Sequence, residues 1–501
     1  MTVHALLTGL IQDLGLAAAA GPSGERLALE CRGVTSDSRA VVPGGVFVAL
    51  QGQKFDGTQF VPEAVANGAA LVVSQKAATQ PDVPWVVVPD ARAALASLAA
   101  AFYGQPSHEL RVVGITGTNG KTTTSYLLRS ILRAAGSRCG LLGTVVYSVG
   151  DRDVPALRTT PEAVDVQRLM REMRAAGCTS CVMEVSSHAL ALKRVDGVHF
   201  AAGVFTNLTR DHLDFHGDME HYFAAKRRLF EMLPATAPAV INVDDPKGPL
   251  LVGVSPRTIT YGITQPADVT TGPLSFSIDG LAFDVRTPKG TIGVRTRLVG
   301  RVNVYNILAA VGTAIGLDIP LVDVARGIAD LEGVPGRFEV VSGRGDDIAV
   351  VVDYAHTDDA LRNLLETAKG LAARRLITVF GAGGDRDASK RPLMGMVAAR
   401  LSDVVVITSD NPRSEDPERI IEDVRRGAEP ETKRGVAVTS IADRSDAIGY
   451  AVAEASPGDM VLIAGKGHEK TQDIQGRSLP FDDVAVARAA LAVRKTRAHA
   501  V

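Results

Sequence analysis

A chain of 501 residues, 46% hydrophobic and 22% charged, has an ordinary globular composition and the length of about three domains. Its 54 Lys and Arg against 56 Asp and Glu leave a net charge of −2, so no basic excess points to nucleic acid or an anionic membrane. Disordered, collagen-like and coiled-coil classes are excluded, and four cysteines make no disulfide framework.

The opening MTVHALLTGLIQDLGL lacks a basic n-region and reads as an amphipathic helix rather than a signal peptide. No run approaches the roughly 18 apolar residues of a membrane span, so a cytoplasmic protein without membrane insertion is expected. Val46 to Leu50, Ala70 to Ser74 and Trp85 to Val88 read as buried strands of a small α/β unit. A helix from Ala91 to Tyr103 and the linker-like GQPSHE close that unit near residue 107.

From Leu110, strand and helix patterns alternate: RVVGIT, the helix after GTNG, GLLGTVV, PEAVDVQRLMREMRAAG, TSCVMEVS, GVFTNL and PAVINVDD. Such alternation implies βαβ units on a parallel sheet. Cys178 and Cys181 form a lone CxxC; a zinc ribbon would need a second pair. The flanking VMEVSS favours small apolar residues entering a strand over a redox motif. Between 256 and 300 the short alternating segments LSFSIDG, LAFDVRT and GTIGVRTRLVG read as antiparallel, and two helices follow. VPGRFE at 334–339 marks a second boundary. Beyond it, AVVVDYAH, LITVFGAGGDRD, DVVVITSDNPR and DMVLIAGKGHE are four buried strands, each ending in a polar or glycine-rich loop. That is a doubly wound pattern, whose ligands gather at the carboxyl ends of the strands.

The strongest motif runs from Gly114 to Thr124, GITGTNGKTTT, between a strand and a helix. Backbone N–H groups of a glycine-rich turn and the helix N-terminus make an anion cradle. Lys121 can reach outer phosphates and the Thr122 hydroxyl can ligate magnesium. Ile115 stands where the strict P-loop spacing has its first glycine. Glu184, in EVSSHAL with His188, sits at a second strand end, well placed for magnesium. At a third, NLTRDHLDFHG crowds Asp211, His212, Asp214 and His216 together. Three strand ends with ligand-type residues favour a metal–nucleotide site. Asp353 and His356, in DYAH, are candidates on the same ground.

GTNGKTT, EVSSHAL and NLTRDHLDFHG, in that order, resemble the Mur ligases, which build the peptide of bacterial cell-wall precursors. DYAHTDDAL, GGDRDASKRPLMG, SDNPR and AGKGHE carry the resemblance over nearly the whole chain. It implies an α/β fold of three domains. These are a small N-terminal α/β domain for the UDP-sugar (1–107), a central P-loop-type ATPase domain (108–337) and a C-terminal Rossmann-like domain for the amino acid (338–501). It implies an ADP-forming ligase that phosphorylates the carboxylate of UDP-N-acetylmuramoyl-L-alanyl-D-glutamate with ATP. An amino acid then attacks the acyl phosphate. This is a step of cytoplasmic peptidoglycan precursor synthesis, and so of cell shape and division. Small-molecule substrates, no nucleic acid and a monomer are the partners expected.

The resemblance also assigns residues. Of two implied magnesium ions, Thr122 and Glu184 match ligands of the first and His212 a ligand of the second, and Lys226 matches a lysine carried as its carbamate that joins the metal ligands; read alone, it is a surface lysine beside two arginines. Gly117, Thr118, Asn119, Gly120, Lys121, Thr122 and Thr123, with Asn303, Asn306, Arg337 and His356, match ATP contacts. Ser36, Ser38, Gln53, Lys54 and Phe55 match the uridine region, and Thr159, Thr160, Ser186 and Arg194 match the hold on the muramoyl peptide. Leu192 replaces a polar residue of some relatives, with Lys193 after it. Asp410, Asn411, Pro412 and Arg413 resemble the meso-diaminopimelate signature, joined by Arg391, Gly465 and Glu469. The chemistry agrees, because an arginine fork pairs a carboxylate that lysine lacks. Asp416 then caps a helix that has Pro417 at its first position. A folylpolyglutamate synthetase, a lysine-adding relative and a regulatory P-loop ATPase are the competing readings.

Overall fold

In the computed structural model, residues 1–14, 25–52, 55–78, 82–343, 345–432 and 435–498 are described. The chain folds as three successive α/β units. Val34–Thr35 (β1), Val46–Ala49 (β2), Leu71–Ser74 (β3) and Trp85–Val87 (β4) pair in parallel in sequence order. The third of these expected strands is corrected in one respect: β4 is an edge, and Val87 is exposed. An edge strand has one neighbour only, so its apolar run need not be covered.

The central sheet contains Arg111–Thr116 (β5), Cys139–Leu142 (β6), Val146–Val149 (β7), Arg152–Pro155 (β8), Ser180–Glu184 (β9), Ala202–Phe205 (β10), Ala239–Asn242 (β11) and Thr258–Tyr261 (β12). Among the described residues its order is β12-β11-β10-β5-β9-β6-β7-β8. GLLGTVV is therefore two strands rather than one: β6 runs parallel to β9, and β7 turns back antiparallel on β6. The turn between them puts Gly143 and Thr144 beside Glu184. A side chain at Gly143 would crowd Glu184 Oε1.

The antiparallel expectation for 256–300 holds for Thr270–Thr271 (β13), Ser275–Ser277 (β14), Gly280–Thr287 (β15) and Gly290–Thr296 (β16). β12, which precedes the segments read as antiparallel, pairs in parallel with β11. Four residues carry too few positions for alternation to be read. The helix Arg301–Gly316 packs across this junction and is buried along most of its length.

The third unit has the order β17-β18-β22-β19-β20-β21, from Glu339–Val340 (β17), Ala349–Asp353 (β18), Leu376–Phe380 (β19), Val404–Ile407 (β20), Ala437–Ser440 (β21) and Met460–Ala464 (β22). The four buried strands read from sequence are its centre. Edges β17 and β21 were not foreseen: β17 has two residues, and the β21 side chains are half-buried or exposed. All four cysteines are free and buried, which favours the strand-packing reading of Cys178 and Cys181. No described helix is long and apolar enough to cross a membrane.

Candidate functional site

The strand β5, the turn 117–120 and the helix Lys121–Ala134 form the expected cradle. Gly117 and Gly120 have φ of 145° and 87°, which favours glycine. Space requires it too, since a Cβ at these positions would overlap Thr206 Oγ1 and Asn306 Oδ1 respectively. The turn is pinned from β10: Thr118 N donates to Asn207 O (2.8 Å) and Asn119 N to Asn207 Oδ1 (2.9 Å). Lys121 Nζ donates to the carbonyls of Gly117 (3.0 Å) and Thr118 (2.7 Å). Thr123 is buried in the first helical turn.

Thr122 Oγ1 donates to Glu184 Oε2 (3.0 Å), and Thr144 donates through N and Oγ1 to the same carboxylate (2.8 and 2.9 Å). Both Thr122 and Glu184 are buried. The guanidinium of Arg337, lying over the Tyr354 ring, reaches Thr122 Oγ1 at 3.2 Å. Asn306 Nδ2 donates to Asn303 Oδ1 (2.9 Å), and Asn303 Nδ2 to Val299 O (2.7 Å). Both side chains are buried, and they brace the back of the phosphate turn.

Lys226 is 1% exposed. The helix Met219–Glu231 aims it at the same turn, where Nζ donates to Gly117 O (2.7 Å) over the Tyr222 ring (4.3 Å). Burial, then the neighbouring Lys121 charge, hold its amine well below the usual lysine range, against Asp211. His188, His212, Phe215, His216 and Tyr222 form a ring cluster that meets this lysine at Tyr222; the His188 ring lies tilted 4.2 Å from Phe215 and edge-to-face 4.8 Å from His212. His212 has φ of 54° and lies 3.3 Å from Asp211. Burial, with Lys121 and Lys226 nearby, pushes its imidazole below the ordinary range. Asp214 is exposed. Among the described residues no group of three or more His, Cys, Asp and Glu is arranged to hold a metal ion. The hard oxygens of Thr122 and Glu184 nevertheless suit magnesium, which takes few protein ligands when phosphates supply the rest.

At the carboxyl end of the third sheet, Asp410 is buried. Its Oδ1 accepts from Asn411 N (2.7 Å), while Oδ2 has no partner. Gly465, at φ 119°, leaves room beside that oxygen. Arg413, at φ 53° after the buried Pro412, is held by its backbone to Asp473 and Gln475. Its guanidinium meets Gly384 O (2.6 Å), and among the described residues no carboxylate stands within ion-pair distance. Glu469 accepts from Asn411 Nδ2 (2.8 Å) and Lys466 Nζ (3.0 Å). Arg391, by contrast, is buried against Glu415 (2.8 and 2.9 Å) and Asp423 (3.1 Å).

The sequence matches the Mur ligase family catalytic domain over residues 30–103, the Mur ligase middle domain over 115–314 and the Mur ligase glutamate ligase domain over 336–467. The UDP-N-acetylmuramoyl-L-alanyl-D-glutamate–2,6-diaminopimelate ligase of Solibacter usitatus is 49% identical, over 92% of this chain and 94% of its own length. The chain belongs to the Mur ligase family.

The equivalent ligase of Geobacillus kaustophilus is 48% identical, over 91% of this chain and 94% of its own. A solved structure of a ligase of that name is 35% identical with a TM-score of 0.70, covering 97% of this chain and 99% of that one. A MurF ligase from Thermotoga maritima in complex with ADP, 20% identical with a TM-score of 0.64 over 94% and 100% of the two chains, shares the fold.

The remaining positions singled out by the resemblance fall in three groups. Thr160 Oγ1 donates to Glu184 O (2.9 Å) and accepts from Ser186 N (3.0 Å), and Thr159 Oγ1 lies 3.1 Å from Thr144 Oγ1. Arg194 is buried against Glu162 (2.9 Å) with Nε unpartnered. These residues gather on the Glu184 side of the phosphate turn. Leu192 ends the short helix Ser187–Ala191, and Lys193 pairs with Asp90 (2.8 Å). In the first unit Ser38 is buried and donates to Glu63, while Ser36 and Phe55 are exposed. Gln53 and Lys54 lie outside the described residues. Asp353 holds Phe338 N (2.7 Å) and Ala355 N (2.8 Å), and His356 Nδ1 faces Tyr354 O (3.0 Å).

Sequence reasoning missed three groups here. Asp359 reaches across to Asn119 Nδ2 (3.1 Å). Arg444, fully buried, pairs with both Asp483 oxygens at 2.8 Å and donates to Ala464 O (3.0 Å). Lys466 is the third. Its place inside the quoted GKGHE run was the available signal.

Proposed function

We infer that this Mur ligase joins meso-diaminopimelate to UDP-N-acetylmuramoyl-L-alanyl-D-glutamate with hydrolysis of ATP to ADP and phosphate, in the cytoplasmic synthesis of peptidoglycan precursor. The observation that carries this reading is Arg413. It is an arginine with no carboxylate partner among the described residues, in the loop after β20 that opens with Asp410, whose Oδ2 is likewise unpartnered. The first unit takes the UDP end of the substrate, the second ATP, and the third the amino acid.

A carboxylate is a poor electrophile, so it must be activated. One of its oxygens attacks the γ-phosphorus, the bond to ADP breaks, and an acyl phosphate forms. The neutral amine of diaminopimelate attacks the acyl carbon, the carbon–oxygen bond to phosphate breaks, and the amine loses its proton. Two anions must first approach each other. Lys121 in the turn and Arg337 on the Thr122 hydroxyl would supply fixed cations, lowering that repulsion where water is excluded. Thr122 and Glu184 would hold a magnesium ion, with His212 close by; bound there, magnesium supplies further charge neutralisation on the phosphates. Asn119 and Asp359, hydrogen-bonded between units, would keep the two half-sites in register.

Lys226 would act as its carbamate. Carbon dioxide adds to a neutral amine, forming an N–C bond and releasing a proton, and burial beside Lys121 favours that neutral amine. Lys226→Ala is expected to lose about a hundredfold in kcat, with partial recovery on adding bicarbonate or a small carboxylate. A fully active, unrescued variant would refute the role.

The reading itself is tested by phosphate release with ATP, magnesium and the UDP-muramoyl dipeptide, adding meso-diaminopimelate or L-lysine in parallel. Release with diaminopimelate alone is expected. Release with lysine alone overturns the amino-acid assignment, and release without either leaves an ATPase.

A further inference from the structure

Lys466 is fully buried, 0% exposed, in the loop after β22. Its Nζ donates to Asn411 Oδ1 (2.9 Å) and Glu469 Oε2 (3.0 Å). Asn411 Nδ2 donates to that same Glu469 oxygen, and Asp473 N to Asn411 Oδ1 (3.0 Å). One Glu469 oxygen is thus held from below by two donors, and no hydrogen bond from a described residue reaches Oε1. The next buried cation, Arg444, is neutralised by Asp483. Arg391 is likewise neutralised by Glu415 and Asp423. Among the described residues Lys466 is the cation hydrogen-bonded to Glu469, which Arg444 influences only through space.

We propose that Lys466 is a positioning residue that sets the preference of the amino-acid site for a zwitterionic substrate end over a plain ammonium. The proposal rests on the reading of Asn411, Arg413 and Glu469 as that site. Two consequences of the geometry carry it. Lys466 fixes Glu469 through Oε2, which leaves Oε1 without a described donor and available to a substrate ammonium, and it fixes the Asn411 side chain at the root of the loop that presents Arg413. It also places a positive charge directly behind the carboxylate, which weakens that carboxylate's pull on any cation. For a zwitterion, the penalty on the ammonium is offset by the attraction of the substrate carboxylate to the same positive charge. For the distal end of lysine, which carries an ammonium alone, nothing offsets it.

Lys466→Met and Lys466→Arg are to be compared with the unmodified chain, using kcat and KM for meso-diaminopimelate, L-lysine and ATP. In Lys466→Met the KM for diaminopimelate should rise about tenfold, while kcat and the KM for ATP stay within about twofold. The ratio of kcat/KM for lysine to that for diaminopimelate should rise by about tenfold or more. Lys466→Arg keeps the charge and should keep most of the discrimination. If the Met variant fails to fold, Lys466→Gln, which keeps a donor for Glu469, gives the same reading. Equal losses for both amino acids in the neutral variant, or unchanged discrimination, overturn the proposal. An unmodified chain that does not distinguish diaminopimelate from lysine overturns the amino-acid site reading itself, and this proposal with it.

Discussion

Replacing Lys121 by alanine should lower kcat by on the order of a thousandfold or more. The KM for the UDP-muramoyl dipeptide and the melting temperature should move little. Lys121 stands at the first helical position, and its ammonium already folds over the Gly117 and Thr118 carbonyls, inside the cradle. Burial lowers its amine somewhat, with Glu184 and Asp211 opposing. Neither neighbouring described cation is placed to replace it: Arg337 is committed to Thr122 and the Tyr354 ring, and Lys226 has its own bond to Gly117 O. Charge develops on the transferred phosphoryl group between two anions, so the loss falls on the transition state more than on ground-state binding. Phosphate release at saturating ATP, dipeptide and meso-diaminopimelate measures it. A variant within tenfold of the unmodified rate would remove Lys121 from the mechanism.

The elements that position this lysine were legible because their signals are local. A strand, a glycine turn and an amphipathic helix follow one another within 24 residues, from Arg111 to Ala134. The order of the motifs gave the family for the same reason, since each motif is contiguous. What each side chain touches was not legible wherever its partner is distant in sequence. Asn303 and Asn306 match ATP contacts by resemblance, but that they hold each other and brace Gly120 left no local signal. Arg391 and Arg413 read alike as arginines of one site, yet only Arg391 finds carboxylates, and these come from the segment after DNPR. Glu184 is held by Thr144, a residue whose place depends on the unforeseen hairpin of β6 and β7. Long-range partners of this kind are set by how strands are ordered in the sheet, and strand order leaves no periodic trace in the sequence.

That difference between the two arginines leads to the second expectation. Arg413→Ala should lower kcat/KM for meso-diaminopimelate by on the order of a thousandfold, about 4 kcal/mol. Kcat/KM for L-lysine, whatever its starting level, should fall little or rise. The left-handed φ of Arg413 and its backbone bonds to Asp473 and Gln475 fix the loop, and alanine, which has the same Cβ as arginine, adds no backbone strain there. The guanidinium, by contrast, has only Gly384 O among the described residues. A half-buried cation so lightly paired gains most from a ligand carboxylate, which a bidentate fork can grip with two parallel bonds. Lysine leaves that fork unpaired in the unmodified chain, and removing the fork removes the penalty. Arg413→Lys separates charge from geometry: it keeps the cation but loses the planar fork, and should recover only part of the discrimination. Equal losses for both amino acids in Arg413→Ala would mean that the arginine supports the loop, and the recognition of the second carboxylate would have to lie elsewhere in the strand-end cluster.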